Sequence, residues 1–255
     1  MYAIIPTNTN EPVIRTGQTV KLNYLRKAGD IIVEQTYDKM PLYYKVMPGD
    51  NNSYSPFEIF DHGLRKGDSI IIVQHVDELL KKRMVGVMPA WAKKGDKWYT
   101  YMKVEDVFTS DSLLQVDKIA ETKRVIGLQK MYAFGRINTY LNTKNLYAAS
   151  VDDGIFVETV KKGKGQTADS TQMVRAILNL TTLHDSVLTK NDTISFGKRK
   201  EFFPSLIAGI IPPMQQGTRV RIYLPAVLVS GVEPSSDKLK VDDDLVFDIE
   251  VLDIY

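Results

Sequence analysis

The chain carries one pattern twice, and that repeat limits its fold more than any other feature. Residues 217–255 hold two runs of alternation. Val220, Ile222 and Leu224 alternate with Arg219, Arg221 and Tyr223, and Pro225 closes the run. Leu245, Phe247, Ile249 and Val251 then recur every second residue, with Asp248 and Glu250 facing the other way. A period of two marks strands with one buried face and one wet face. Both runs have earlier counterparts. GDKWYTYMKVEDV from Gly95 aligns without a gap on DDDLVFDIEVLDI from Asp242, an offset of 147 residues. GDSIII from Gly67 aligns on GTRVRI from Gly217 at 150, and GQTVKLNY from Gly17 on TQMVRAIL from Thr171 at 154. Each half runs strand, hairpin turn, strand, loop, short helix, turn, strand, crossover, strand. Two copies of one α+β unit follow, each with a helix packed on an antiparallel sheet. At about 100 residues, each copy is large enough for its own core.

In chain order, residues 1–16 read as an extended arm or first strand, and 17–24 with 31–36 as a hairpin about Gly29-Asp30. Residues 37–55 look like loop. Residues 56–64 place Phe57, Phe60 and Leu64 at helical spacing, 70–73 form a buried strand, and 77–83 are polar with one helical turn. A strand over 98–107 leads to residues 110–142, where Ser110 or Ser112 can cap a helix carrying Ile119, Ile126, Phe134, Ile137 and Leu141. Gly127 and Gly135, each costing about 1 kcal/mol against alanine, are places for it to bend or break. Strands over 154–160 and 172–180 and a short helix over 202–210 complete the second copy. The expected domains are 1–109 and 146–255, with a helical connector over 110–145.

Composition removes several function classes. Lys+Arg number 33 against 31 Asp+Glu, so nothing points to nucleic acid. No apolar run approaches the roughly 18 residues of a transmembrane segment. MYAIIPTNTNEPVIRTG lacks the basic and apolar regions of a signal peptide. The absence of cysteine excludes disulfides and thiolate metal sites.

The second copy resembles the FKBP family, the immunophilin-type peptidyl-prolyl cis-trans isomerases, over residues 154–255. LVFDIEVLDI is close to that family's last strand, and Gly163-Lys-Gly165 stands where the family has a GxG turn. GTRVRIYLPAVLVSG resembles its G-x-x-x-x-x-x-I-P-x-x-x-A-Y-G run. The first copy is more weakly similar, and ELLKKRMVGVMPAWAKKGDKWYTYMKV looks like the divergent domain of tandem FKBP-like proteins of the bacterial envelope. The resemblance implies an α+β fold of two FKBP-like domains, each a twisted antiparallel sheet on a short α-helix, joined by a helical connector. It implies proline-containing or partly unfolded polypeptides as partners, a part in protein folding, and no cofactor or metal. It implies the periplasm or an outer-membrane lipoprotein if a leader has been removed, and the cytoplasm otherwise. The other reading is a non-catalytic peptide-binding chaperone or a structural scaffold.

A prolyl bond isomerises over a barrier of about 20 kcal/mol because rotation breaks amide resonance. Lowering it needs no acid, base or nucleophile, so no catalytic residue of that kind is expected. It needs an apolar pocket that favours the twisted, less dipolar amide over the planar one. In the second copy the resemblance assigns the last-strand Phe to Phe247 and the apolar pair at the helix start to Phe202 and Phe203. Leu178 stands for a strand Tyr, Leu188 and Thr189 for a Phe-Asp pair, Leu206 for a Trp, and Ser230 for a crossover Tyr. In the first copy Tyr24 matches the strand Tyr, Glu34 replaces the Asp, Phe57 the Trp, Val33 the Phe and Thr100 the last-strand Phe. Neither copy carries the full set.

Plainer readings compete at several positions. Phe203 and Phe247 also suit an ordinary core. Trp91, Trp98, Tyr99 and Tyr101 suit a sheet face as well as a peptide-binding groove or domain interface. His62, His75 and His184 are isolated and lack a second metal ligand at usable spacing. Asp242-Asp243-Asp244 lacks calcium-loop spacing, and GKGQT from Gly163 lacks that of a phosphate loop.

Overall fold

The computed structural model describes residues 1–7, 10–48, 58–81, 92–93, 95–152, 154–168, 172–196, 214–232, 239–240 and 242–255. They divide into two compact units, Met1–Thr122 and Lys123–Tyr255.

The first unit is built on a sheet of β1 (Tyr2–Ile5), β2 (Thr19–Ala28), β3 (Ile31–Gln35), β4 (Leu42–Lys45), β5 (Ser69–His75) and β6 (Lys97–Phe108). The strand order is β1-β5-β6-β2-β3, with β4 also on β2, and every pairing is antiparallel. The second unit's sheet uses β7 (Ala149–Asp152), β8 (Ile155–Lys161), β9 (Val174–Thr182), β10 (Val187–Phe196), β11 (Arg219–Pro225) and β12 (Asp244–Ile254). Its order is β10-β9-β12-β11-β8-β7, again antiparallel throughout. Without β4 and β7 the two orders are the same.

The ladders also agree residue by residue at the offsets read from the sequence. Ile72 pairs with Thr100 and Ile222 with Phe247. Tyr24 pairs with Met102 and Leu178 with Ile249. A β-bulge occurs at the same place in each: the register skips Glu105 between Val104 and Asp106, and Leu252 between Val251 and Asp253. Gly67 and Gly217 both have positive φ, 91° and 81°, which glycine adopts without steric cost. Their amides donate to the carbonyls of Val104 and Val251, at 2.8 and 3.0 Å, locking each turn onto its last strand.

One face of each sheet makes a core. In the first unit Val20, Leu22, Ile70, Ile72, Met102 and Val104 pack with Ile59, Phe60 and Leu64. The helical spacing over 56–64 becomes a 3-10 turn at Glu58–His62, and the helical turn near 77–83 becomes α1 (Val76–Lys81). In the second unit Ile155, Ala176, Leu178, Val220, Ile222, Leu245, Phe247, Ile249 and Val251 form the core. The helix expected over 202–210 lies outside the described residues. Two strands fall where loop or no strand was expected, β4 and β7. Both are four-residue edge pieces, too short for alternation to register.

The connecting helix, α2 (Asp111–Thr143), runs unbroken through Gly127 and Gly135. Sheet packing over much of its length outweighs the propensity cost of two glycines. In the first unit it is held by polar contacts. Lys21 donates to Asp117 (2.9 Å) and Glu121 (2.8 Å), and the Tyr43 hydroxyl donates to Asp117 at 2.5 Å. In the second unit Ala133, Ile137 and Leu141 pack on Phe156, Tyr223 and Val246. This seam corrects two expectations. Tyr223 and Val246, on the supposedly wet face of β11 and β12, are buried because α2 covers them. The helix's buried stripe runs through Val125, Gln129, Ala133, Ile137 and Leu141, every fourth residue, whereas Ile119 is 58% exposed and Phe134 44%. The rest of the outer face stays polar through ion pairs of Arg219 and Arg221 with Asp248.

Candidate functional site

In the second unit the core face of the sheet is apolar where the resemblance puts a proline pocket. Phe247, at the centre of β12, lies between Ile222 of β11 and Leu180 of β9 in the ladder. Leu178 follows two residues back along β9 on the same face, and Leu188 of β10 packs against the same cluster. Phe247 is 4% and Leu178 9% exposed. Thr189 pairs with Leu180, as Glu34 pairs with Arg26 in the first unit, so the two hairpins correspond at these positions too. Ser230 ends α3 (Val227–Ser230), and its hydroxyl donates to the Ala226 carbonyl at 2.9 Å rather than into the cluster. Phe57, Phe202, Phe203 and Leu206, and also Trp91, lie outside the described residues.

The GxG turn has a steric reason. A Cβ on Gly163 would come within 2.4 Å of the Gln216 carbonyl oxygen, so only glycine lets this segment lie against the strand entry at Gly217.

The matching region of the first unit is polar. Tyr24 and Arg26, two residues apart on β2, share a face. The Arg26 guanidinium lies 6.0 Å from the Tyr24 ring centroid and 5.7 Å from that of Trp98. Its Nε donates to Thr100 Oγ1 at 3.2 Å and a terminal nitrogen to Glu34 at 3.3 Å. Thr100, the counterpart of Phe247, is 1% exposed. Burial, then the hydrogen bond to Glu34, raises the Tyr24 phenol's pKa, so it stays protonated and donates. Val33 packs instead with Ala28, Val76, Leu79 and Trp98. The structure thus brings Tyr24 and Glu34 together, and it adds Arg26 and Trp98. Arg26 was legible in principle, since it follows Tyr24 at the strand period. Trp98 stood in the sequence within an aromatic cluster that suits a sheet face, a peptide-binding groove or a domain interface, with nothing to pair it with Arg26.

These two surfaces differ in what they can accept. Among the described residues the second unit offers hydrocarbon and the rings of Phe247 and Phe196. The first offers a guanidinium neutralised by a carboxylate and flanked by two rings, which suits polar contact better than a proline ring. Among the described residues no group of three or more His, Asp or Glu side chains is placed to hold a metal ion. No described helix is long and apolar enough to cross a membrane.

No family model and no curated protein matches the chain. Solved structures do. A peptidyl-prolyl cis-trans isomerase from Pseudomonas syringae is 19% identical over 48% of this chain and 93% of its own, with a TM-score of 0.39. The three FKBP domains of wheat FKBP73 are 10% identical over 100% and 94%, with a TM-score of 0.37. FkpA from Escherichia coli is 16% identical over 70% and 88%, also at 0.37. Among the solved structures to which the chain is similar are therefore one named a peptidyl-prolyl cis-trans isomerase and one of three FKBP domains.

Proposed function

We propose that the chain is a tandem FKBP-like protein that acts on proline-containing polypeptides, with prolyl isomerisation confined to the second unit. One observation carries this reading: the two ladders coincide in order, register and bulge, yet at the position where the last strand of the second unit has the aromatic Phe247 on its apolar core face, the first has Thr100. A proline ring against that face loses water, and the twisted amide is favoured there over the planar one. The first unit holds extended or partly unfolded chain without turning it over, because Thr100 and Arg26 occupy the corresponding place. The domains are 1–109 and 146–255, with residues 110–145 as the helical connector. Placement in the bacterial envelope rests on the tandem resemblance and is tested by cell fractionation.

The test is a coupled isomerisation assay on X-Pro peptides, with Phe247→Leu and Arg26→Ala beside the parent chain and folding checked by circular dichroism. Acceleration by the parent chain, reduced tenfold or more by Phe247→Leu and unchanged by Arg26→Ala, is the expected result. No acceleration from a folded chain removes the isomerase. Holding of an unfolded client protein, lost on Arg26→Ala, then favours the non-catalytic chaperone, and absence of both leaves a scaffold.

A further inference from the structure

Two apolar surfaces of the first unit face solvent, and each is half of a contact that the second unit completes. The first surface is on the opening turns of α2. Toward its own sheet this segment turns Asp117, Lys118 and Glu121, which Lys21 and Tyr43 engage. Its other side carries Leu113, Val116, Ile119 and Ala120, all exposed, at spacings of three and four. Val116 is 67% exposed, and among the exposed residues from Asp111 to Ala120 only Asp111 is charged. A surface helix ordinarily presents its apolar side to the protein and its charges to water. This segment does the reverse.

The second surface is the outer face of the sheet, opposite Leu22 and Met102. The register puts Ile32, Tyr99 and Val73 in one row, across Lys27, and Leu25, Tyr101 and Ile71 in the next. Ile32 is 51% and Tyr101 41% exposed, and the other four are partly exposed. Val73 pairs with Tyr99 as Tyr223 pairs with Val246 in the second unit. There the same two positions are buried under Ala133, Ile137 and Leu141 of α2. The repeat thus identifies what covers such a face: a helix of this chain with its apolar side down. In the first unit α2 cannot supply it, because its apolar side points away from the sheet on which it rests.

We propose that a second copy of the chain supplies it. The apolar side of residues 111–120 in one copy packs on Leu25, Ile71, Val73, Tyr99 and Tyr101 of the other, and a two-fold axis repeats the contact with the roles exchanged. Two sheets then enclose a layer of two helices. Each stripe is about 15 Å long. The interface therefore falls at the small end of specific ones, and the dimer comes apart on dilution. It belongs to the first unit and does not depend on prolyl isomerisation in the second. The test is sedimentation velocity across a concentration series, with Val116→Lys and Tyr101→Glu beside the parent chain and folding checked by circular dichroism. The parent chain is expected to be monomeric at about 1 µM and dimeric at about 200 µM. Each substitution should weaken association at least tenfold. An equimolar mixture of the two variants should regain part of it, since the mixed dimer keeps one contact unaltered. Ile32→Glu, on the same face, replaces Tyr101→Glu if that chain does not fold. A parent chain that stays monomeric overturns the proposal and leaves the face to a helix of another protein. A dimer that survives either substitution also overturns it, since that would mean pairing through sheets alone or helices alone, and so does a mixture that regains nothing.

Discussion

Replacing Ile137 by alanine tests how α2 is held to the second unit. Ile137 is fully buried in the seam with Ala133, Leu141, Phe156, Tyr223 and Val246. The change removes three carbons at roughly 0.8 kcal/mol each. A partly unrelaxed cavity adds to that, giving a loss of about 3 kcal/mol within the usual range for such truncations. For a unit of this size that is a fall in melting temperature of roughly 10 °C. The assay separates the units, because both tryptophans, Trp91 and Trp98, belong to the first. In urea, tryptophan fluorescence follows that unit and far-ultraviolet circular dichroism follows both. Ile137→Ala should bring one dichroism transition to lower urea and leave the fluorescence midpoint in place. Ile119→Ala, on the exposed face of the same helix, should change neither by more than about 0.5 kcal/mol. A loss under 1 kcal/mol for Ile137→Ala would refute the seam, and an equal shift of the fluorescence midpoint would refute the separate stability of the units.

Three further outcomes are expected. Burial alone would raise the Asp248 pKa, but Arg219 and Arg221 outweigh it and hold the carboxyl below its ordinary value. Its stabilisation is therefore complete above about pH 4 and lost as pH falls through the lowered folded value. Asp248→Asn should cost about 1–2 kcal/mol at pH 7 and progressively less as pH falls below the ordinary carboxylate range in urea titrations, and a pH-independent difference would contradict the pairing. Gly127→Ala, in an exposed helical position where a Cβ meets nothing, should stabilise by about 0.5–1 kcal/mol in thermal melts, and destabilisation would mean a contact at that face. The Tyr24 and Tyr223 phenols are raised by burial and by Glu34 and Glu158, so ultraviolet titration should show a late-ionising class that loses one member with each Tyr→Phe change. A late class unchanged by either substitution would show that these phenols do not belong to it.

Much of the architecture was legible because strands with one buried and one wet face leave a period-two trace. Val220–Ile222–Leu224 and Phe247–Ile249–Val251 announced two strands, and the offsets between copies named positions that correspond in the two ladders, whose pairing register the sequence left open. Alternation reports only that one face differs from the other, so it missed that α2 would cover Tyr223 and Val246. The helix misled in the same way. Ile119 and Phe134 fit a period of 3.6, but which apolar stripe is buried depends on the sheet it meets, and that choice is tertiary. The candidate sites were legible where a resemblance supplied positions, as at Phe247 and Tyr24. Arg26 was passed over because a charged residue at an inward position contradicts the pattern unless its partners, Glu34 and Thr100, are known.

The shared bulge and register have a consequence for how the chain reaches its native state. β6 could enter the second sheet in place of β12 with every main-chain bond intact, a misassembly to which fused repeats are prone. Side chains guard against it. In that hybrid Thr100 would leave a void where Phe247 sits, Arg219 and Arg221 would find Tyr101 instead of Asp248, and Lys103 would face Lys161 in place of Glu250. Divergence between the copies thus acts as proofreading during folding, by which each unit recognises its own final strand.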